Sequence, residues 1–136
     1  MKIATRDIAD ILRSLESRFL LYLFYGQDQG LAREHSTKIG RDFAKNLDDP
    51  FVVSRLSGNQ LKDDPTLLRD EMNTLPPFGG LKVVMVTGAG SDIVAAVKNC
   101  ITALNPEARL IIRATDVNKR HALVVLCDRE PSCASI

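Results

Sequence analysis

The sequence predicts an α/β protein in which helices cover both faces of a parallel sheet. Short apolar runs rich in valine, isoleucine and leucine alternate with amphipathic segments, and glycines and prolines punctuate the connections. Strands that alternate with helices at this spacing predict a three-layer parallel sheet with right-handed crossovers. A length of 136 residues suits one hydrophobic core, so we expect residues 1–136 to form a single domain.

The first part of the chain predicts a helix, a strand and a second helix. Apolar residues recur there at spacings of three and four, as in a short amphipathic helix. These residues are Ile8, Ile11, Leu12, Leu15 and Phe19. Residues 20–25 form a nearly unbroken apolar run ending at Gly26, which is typical of a strand buried on both faces of a parallel sheet. A helix over about residues 30–47 follows.

Three further pairs of strand and helix follow. The predicted strands cover residues 51–56, 81–86 and 109–114, where β-branched and aliphatic residues are concentrated. The predicted helices cover about residues 64–73, with Pro65 in the first turn, 91–104, with Ser91 as the cap, and 118–126. Residues 127–136 are typical of the approach to another strand, so we expect the chain to be a fragment of a longer protein.

The composition indicates a globular cytoplasmic protein. Hydrophobic residues make up 45% of the chain and charged residues 26%, and the net charge of +1 provides no field across the whole domain that would attract nucleic acid or a membrane. Cys100, Cys127 and Cys133 lack the CxxC spacing of a zinc site, and reduced thiols are expected. No signal peptide and no membrane-spanning run is present in the sequence.

The turn after the first predicted strand lies where many α/β proteins bind phosphate, but it lacks the chemistry for that task. A phosphate loop, Gly-x-x-x-x-Gly-Lys-Ser/Thr, combines backbone N–H groups with a lysine and a magnesium-binding hydroxyl. Gly26 and Gly30 are one residue too close, Leu31 and Ala32 follow where Lys and Ser/Thr belong, and Asp28 adds a negative charge. The sequence therefore predicts a degenerate nucleotide loop at Gly26, Asp28 and Gly30, with no cofactor.

A second glycine turn, around Gly88 and Gly90, resembles the cofactor turn of short-chain dehydrogenases. Ile93 stands where a dinucleotide turn needs its third glycine, and Asp92 would repel a pyrophosphate. No acidic pair ends a strand to hold magnesium, and Asp116 is better explained as a helix cap. We therefore expect no catalytic residue and no metal site.

Two surface segments remain open to either a structural or a functional explanation. In residues 73–80 two prolines end a helix, and Phe78 is held between proline and glycine, either as a lid on the sheet or as an apolar knob for a partner. The predicted helix over residues 30–47 carries outward basic residues that are interleaved with acidic ones. The basic residues are Arg33, Lys38, Arg41 and Lys45. A solvated helix face is the favoured explanation for them.

Four motifs along nearly the whole chain have a combined order and spacing that point to one family. They are Tyr25-Gly26-Gln27-Asp28 with Leu31 and Glu34; Asp49-Pro50-Phe51-Val52-Val53 with Arg55 and Leu56; Leu75-Pro76-Pro77-Phe78-Gly79-Gly80; and Thr115-Asp116-Val117-Asn118-Lys119-Arg120. Together they resemble the N-terminal domain of the delta subunit of bacterial DNA polymerase III, the clamp-loader subunit that opens the sliding clamp.

The resemblance implies a P-loop NTPase or AAA+-like fold with a degenerate nucleotide site and a non-catalytic role. In the family a hydrophobic wedge, commonly Leu-Phe, enters a pocket on the β sliding clamp. Here the wedge corresponds to Pro77 and Phe78, the upstream apolar contact to Leu75 and the polar amide to Asn73; Pro77 departs from the usual leucine and Asn73 from a glutamine. The implied further partners are the delta prime and gamma/tau subunits, with DNA contacted indirectly and no membrane.

Two other functions compete with this interpretation. One is a nucleotide- or dinucleotide-binding enzyme domain that uses the Gly26–Gly30 or the Gly88–Gly90 turn. The other is a signalling domain of the response-regulator type. Stabilisation by ATP or NAD with magnesium distinguishes the first from a binding module, and labelling by acetyl phosphate distinguishes the second.

Overall fold

The computed structural model describes residues 19–26, 29–44, 46–77, 79–89, 93–115, 117–118 and 120–135. The predicted N-terminal helix therefore lies outside the described residues, apart from Phe19. Asp28, Phe78, Ser91 and Asp116 also lie outside them. The elements below are numbered along the described part of the chain.

The described residues contain one parallel sheet of five strands. These are β1 (Leu21–Phe24), β2 (Val53–Ser57), β3 (Lys82–Ala89), β4 (Ala108–Ala114) and β5 (Cys133–Ser135). Their order in the sheet is β2-β3-β4-β1-β5, and every neighbouring pair is parallel. The predicted parallel sheet is confirmed, and the strand anticipated after residue 127 is β5, which pairs with β1 at the sheet edge.

Five α-helices connect these strands. They are α1 (Gln29–Phe43), α2 (Gly58–Asp63), α3 (Leu67–Met72), α4 (Val94–Cys100) and α5 (Ala122–Asp128), and a 3₁₀ turn (Ile101–Ala103) extends α4. Ile39 of α1 packs with Ile111 and Met85 on one face of the sheet. Apolar residues of the other four helices pack on the opposite face, as the three-layer prediction requires.

The strand order explains why α1 is separated from the other helices. The chain leaves β1 in one direction across the sheet to reach β2, and then returns through β3 and β4 before it passes β1 to reach β5. Because each parallel crossover is right-handed, reversing the direction places the connecting helices on the opposite face. The helices that follow the neighbouring strands β1 and β4 therefore lie on opposite faces of the sheet, and a crevice opens between the carboxyl ends of these two strands.

Short helices account for the main differences from the predicted elements. The sequence prediction missed α2, which begins with a capping box: Ser57 Oγ accepts a hydrogen bond from the Gln60 N–H at 3.3 Å, and Gln60 Oε1 accepts one from the Ser57 N–H at 2.8 Å. The helix predicted from residue 118 begins at Ala122, because His121 Nδ1 caps it by accepting a hydrogen bond from the Leu123 N–H at 3.1 Å. Helix α1 ends at Phe43, before the predicted residue 47.

Candidate functional site

The candidate residues are divided between the two edges of the sheet. Gly26 follows the carboxyl end of β1, and Gly30 lies in the first turn of α1. The segment of residues 73–81 connects α3 to Lys82, the first residue of β3, so it lies at the amino edge. Because all described strands are parallel, Gly26 and Gly30 of the predicted nucleotide loop lie at the opposite end of the strands from residues 73–81, which contain the predicted wedge and are called the wedge segment below. The structure does not bring them together.

A protein side chain bridges the crevice at the carboxyl edge. Gln29 Nε2 donates to the Gly26 carbonyl oxygen at 2.8 Å and to the Ala114 carbonyl oxygen, at the end of β4, at 3.2 Å. Gly26 has a φ of 122°, a conformation that favours glycine. An amide that joins β1 to β4 here occupies hydrogen-bond acceptors at the place where α/β proteins commonly bind ligands.

Gly88 and Ile93 of the second glycine turn are described, whereas Gly90 lies outside the described residues. Gly88 has a φ of 65°, and the pairing of β3 with β4 is irregular between Val86 and Ala89. Ile93 is fully buried in the cluster between the sheet and its larger helical layer. A dinucleotide turn uses a small residue at this position so that the helix approaches the strand closely, whereas Ile93 fills that space.

Hydrogen bonds fix the start of the wedge segment at the end of α3. The Asn73 side-chain amide donates to the Arg69 carbonyl oxygen at 2.9 Å, and Thr74 Oγ1 donates to the Asp70 carbonyl oxygen at 2.9 Å. Asn73 Oδ1 accepts a long hydrogen bond of 3.3 Å from Asn105. The predicted polar amide therefore caps the helix in this structure, while the residue itself is exposed.

The middle of the segment forms a turn with apolar residues at the surface. Pro76 is buried, whereas Leu75 is 41% exposed and Pro77 is also exposed. The Gly79 N–H donates to the Pro76 carbonyl oxygen at 3.2 Å, which closes a turn after Pro76. Gly79 and Gly80 have φ values of 84° and 87°, so two successive residues take the left-handed conformation before β3 begins.

An ion pair joins the two ends of the wedge segment. Lys82 Nζ lies 3.9 Å from Glu71 Oε2, and the same carboxylate oxygen accepts a hydrogen bond of 2.7 Å from Ser54 Oγ of β2. Lys82 is only 4% exposed, so its charge depends on this carboxylate for compensation. The contact fixes the spacing between the end of α3 and the start of β3.

One comparison with known proteins decides the family. The family model described as DNA polymerase III, delta subunit, matches residues 22–133. The chain belongs to the DNA polymerase III delta subunit family. Membership implies a role as a clamp-loader subunit in DNA replication, and the delta subunit is a non-catalytic component of that loader. A search of curated proteins found no match.

The matched region of this delta-family chain includes a further exposed apolar residue, Phe51, whose exposure the sequence interpretation missed. Phe51, predicted as the start of a strand, lies in the turn before β2 and is 59% exposed. Asp49 Oδ1 accepts a hydrogen bond from the Phe51 N–H at 2.9 Å and holds the turn. Val52, the next residue, lines a cavity of about 320 Å³ together with Gly79 and Gly80. Asp49-Pro50 is the turn signal that would have placed Phe51 outside the strand.

The basic residues of α1 in this delta-family chain also have structural neighbours that the sequence did not reveal. Arg33 and Arg41 line a groove of about 460 Å³ together with Arg55 of β2 and Arg113 of β4.

Among the described residues no helix is long and apolar enough to span a membrane. The same part of the chain contains no group of three or more His, Cys, Asp or Glu residues that would hold a metal ion.

Proposed function

We propose that this chain binds the β sliding clamp through residues 73–80 and helps to open it during clamp loading. The observation that carries the proposal is the turn at Pro76–Gly79, which exposes Leu75 and Pro77 while its ends are fixed. In this proposal Phe78 and Pro77 form the wedge, and Leu75 provides a second apolar contact. A preorganised apolar anchor loses little conformational entropy on docking, and a few such residues dominate the affinity of most interfaces.

Asn73 has a positioning role in the proposed contact. Its amide nitrogen bonds to the end of α3, and it therefore aims the segment that follows. Its Oδ1 accepts a long hydrogen bond from Asn105 and lies on an exposed residue, so it has capacity for a donor on the clamp.

The proposed mechanism is mechanical. A ligand shifts a conformational equilibrium only by its differential affinity for the two states, so the wedge must bind the open clamp more tightly than the closed one. In this proposal the energy of ATP binding comes from other subunits of the loader. The Gln29 bridge across the carboxyl-edge crevice supports a degenerate nucleotide loop in this chain.

Surface plasmon resonance with the immobilised clamp of the same organism tests the proposal. We expect wild type to bind and Phe78→Ala to lose about 2 kcal/mol or more, because aromatic anchors carry most of the energy of such contacts. Leu75→Ala should weaken binding, whereas Leu31→Ala, at a residue of similar exposure on α1, should not. Absence of wild-type binding at tens of micromolar clamp, together with stabilisation by ATP or NAD with magnesium, would instead support a nucleotide-binding enzyme domain.

A further inference from the structure

The groove lined by arginines combines residues that are far apart in sequence. Arg55 pairs in register with Met85, and Met85 with Ile111, so these three residues form one row across β2, β3 and β4 on the α1 face. Arg113 lies two residues further along β4 and therefore on the same face as Ile111. Helix α1 adds Arg33 from above the sheet. The fold thus directs charges from three elements toward one groove.

The positive charge of this groove is poorly compensated. Asp48 is the one carboxylate among the described residues that line it, against four arginines. Within the described part of the chain, none of these arginines lies at ion-pair distance from a carboxylate. Burial lowers the pKa of the Arg113 guanidinium, and the nearby Arg33 and Arg55 charges lower it further. The three guanidiniums therefore repel one another in the folded protein, and an anion between them would relieve that repulsion.

We propose that this groove binds the sugar-phosphate backbone of a DNA strand. Guanidinium groups match the geometry of phosphate oxygens and bind them in a bidentate manner. Arg33 and Arg41 are eight residues apart on one helix, about 12 Å along its axis, which is longer than a single phosphate group. The groove therefore fits a run of phosphates better than one phosphate.

The groove contacts the backbone and does not read bases. No aromatic residue is among the described residues that line it, so it offers no platform on which a base would stack. Contacts from arginine to phosphate position a protein on DNA without sequence preference. This adds a direct DNA contact to the proposed clamp contact, and it does not depend on the wedge segment, which lies at the other edge of the sheet.

Fluorescence anisotropy with a labelled single-stranded DNA 20-mer of mixed sequence tests the inference. The groove variant is Arg33→Ala/Arg55→Ala/Arg113→Ala, and the control is Lys62→Ala/Lys98→Ala/Arg129→Ala, which removes the same charge from exposed positions elsewhere. We expect the groove variant to bind at least tenfold more weakly at 50 mM salt and the control to change less than twofold. The slope of log affinity against log salt should fall by about 2, because each phosphate neutralised on a single strand contributes ~0.7 to it.

The groove variant could lose affinity by misfolding, because Arg55 also donates to the Leu47 carbonyl oxygen at 3.3 Å and Arg113 is half-buried. A second variant controls for this. Arg33→Ala/Arg41→Ala changes two exposed residues of α1, where alanine favours the helix, and should still weaken binding about threefold or more. An equal reduction of affinity in the charge-matched control, or no wild-type binding at tens of micromolar protein, overturns the proposal.

Two further measurements distinguish DNA from an acidic protein as the ligand and the groove from the clamp contact. A 15-residue polyglutamate should displace the DNA less effectively than unlabelled DNA does. Equal displacement would overturn the assignment to nucleic acid and indicate an acidic protein segment. The groove variants should keep wild-type affinity for the sliding clamp. A failure of the DNA experiment is therefore distinct from a failure of the clamp experiment.

Discussion

The fold gives several polar side chains of this chain specific partners or buried surroundings. Lys82 is buried at the start of β3, 3.9 Å from the Glu71 carboxylate, which also accepts a hydrogen bond from Ser54. Gln29 connects two strand ends with one amide. Cys100, Cys127 and Cys133 are all buried. Burial of Cys100 raises the pKa of its thiol.

Cys100 should make the protein less stable in alkali. Burial is the main cause that raises the pKa of its thiol, from 9.0 to about 11, and the neighbouring Cys133 adds to it. As the pH rises, the unfolded chain releases this proton before the folded chain does, so the free energy of unfolding falls between pH 9 and 11. The expected loss is about 2 kcal/mol by urea denaturation. Cys100→Ala should flatten this part of the pH profile, and an unchanged slope in that variant would contradict the assignment.

Elements with buried or strongly apolar sequences were predictable, and short or capped elements were not. Strands β1, β3 and β4 follow apolar runs, because their residues face helices on both sides. Helix α2 is about one and a half turns long and therefore gives no periodic signal; its capping box at Ser57 and Gln60 was the only available cue. The segment of residues 73–80 was singled out because of its prolines and glycines, and its role as a wedge stays a prediction, whereas the exposure of Phe51 was not predicted.

The double-glycine turn should be sensitive to side chains. An alanine Cβ at Gly80 meets no atom within 4 Å, so the cost of Gly80→Ala is the strain of its φ of 87° alone. We expect a decrease of about 1 kcal/mol in unfolding free energy, measured by urea denaturation. Gly30→Ala, in helical α1, should be neutral or stabilising by about 0.5 kcal/mol. Equal effects of the two substitutions would show that the turn is not held in the left-handed conformation.

The two candidate surfaces lie toward opposite ends of the parallel strands. The wedge segment lies at the amino edge, and the arginine groove lies on the α1 face toward the carboxyl half of β3 and β4. The sequence offered a candidate wedge because its residues are contiguous, and that assignment stays a prediction. It did not predict the groove, because Arg55 and Arg113 come from strands whose register decides which side chains share a face. The helix-face interpretation of Arg33 and Arg41 considered one element without its neighbours.

The release of a sliding clamp from nicked circular DNA tests the central claim most directly, because it reports opening as well as binding. Clamp labelled with a fluorophore is first loaded on the circle, and its dissociation is then followed after the chain is added. The proposed mechanism requires tighter binding to the open ring than to the closed one, so wild type should accelerate release and Phe78→Ala should leave the rate at its spontaneous value. Equal acceleration by wild type and Phe78→Ala, or none by a wild-type chain that binds the clamp, would contradict the account.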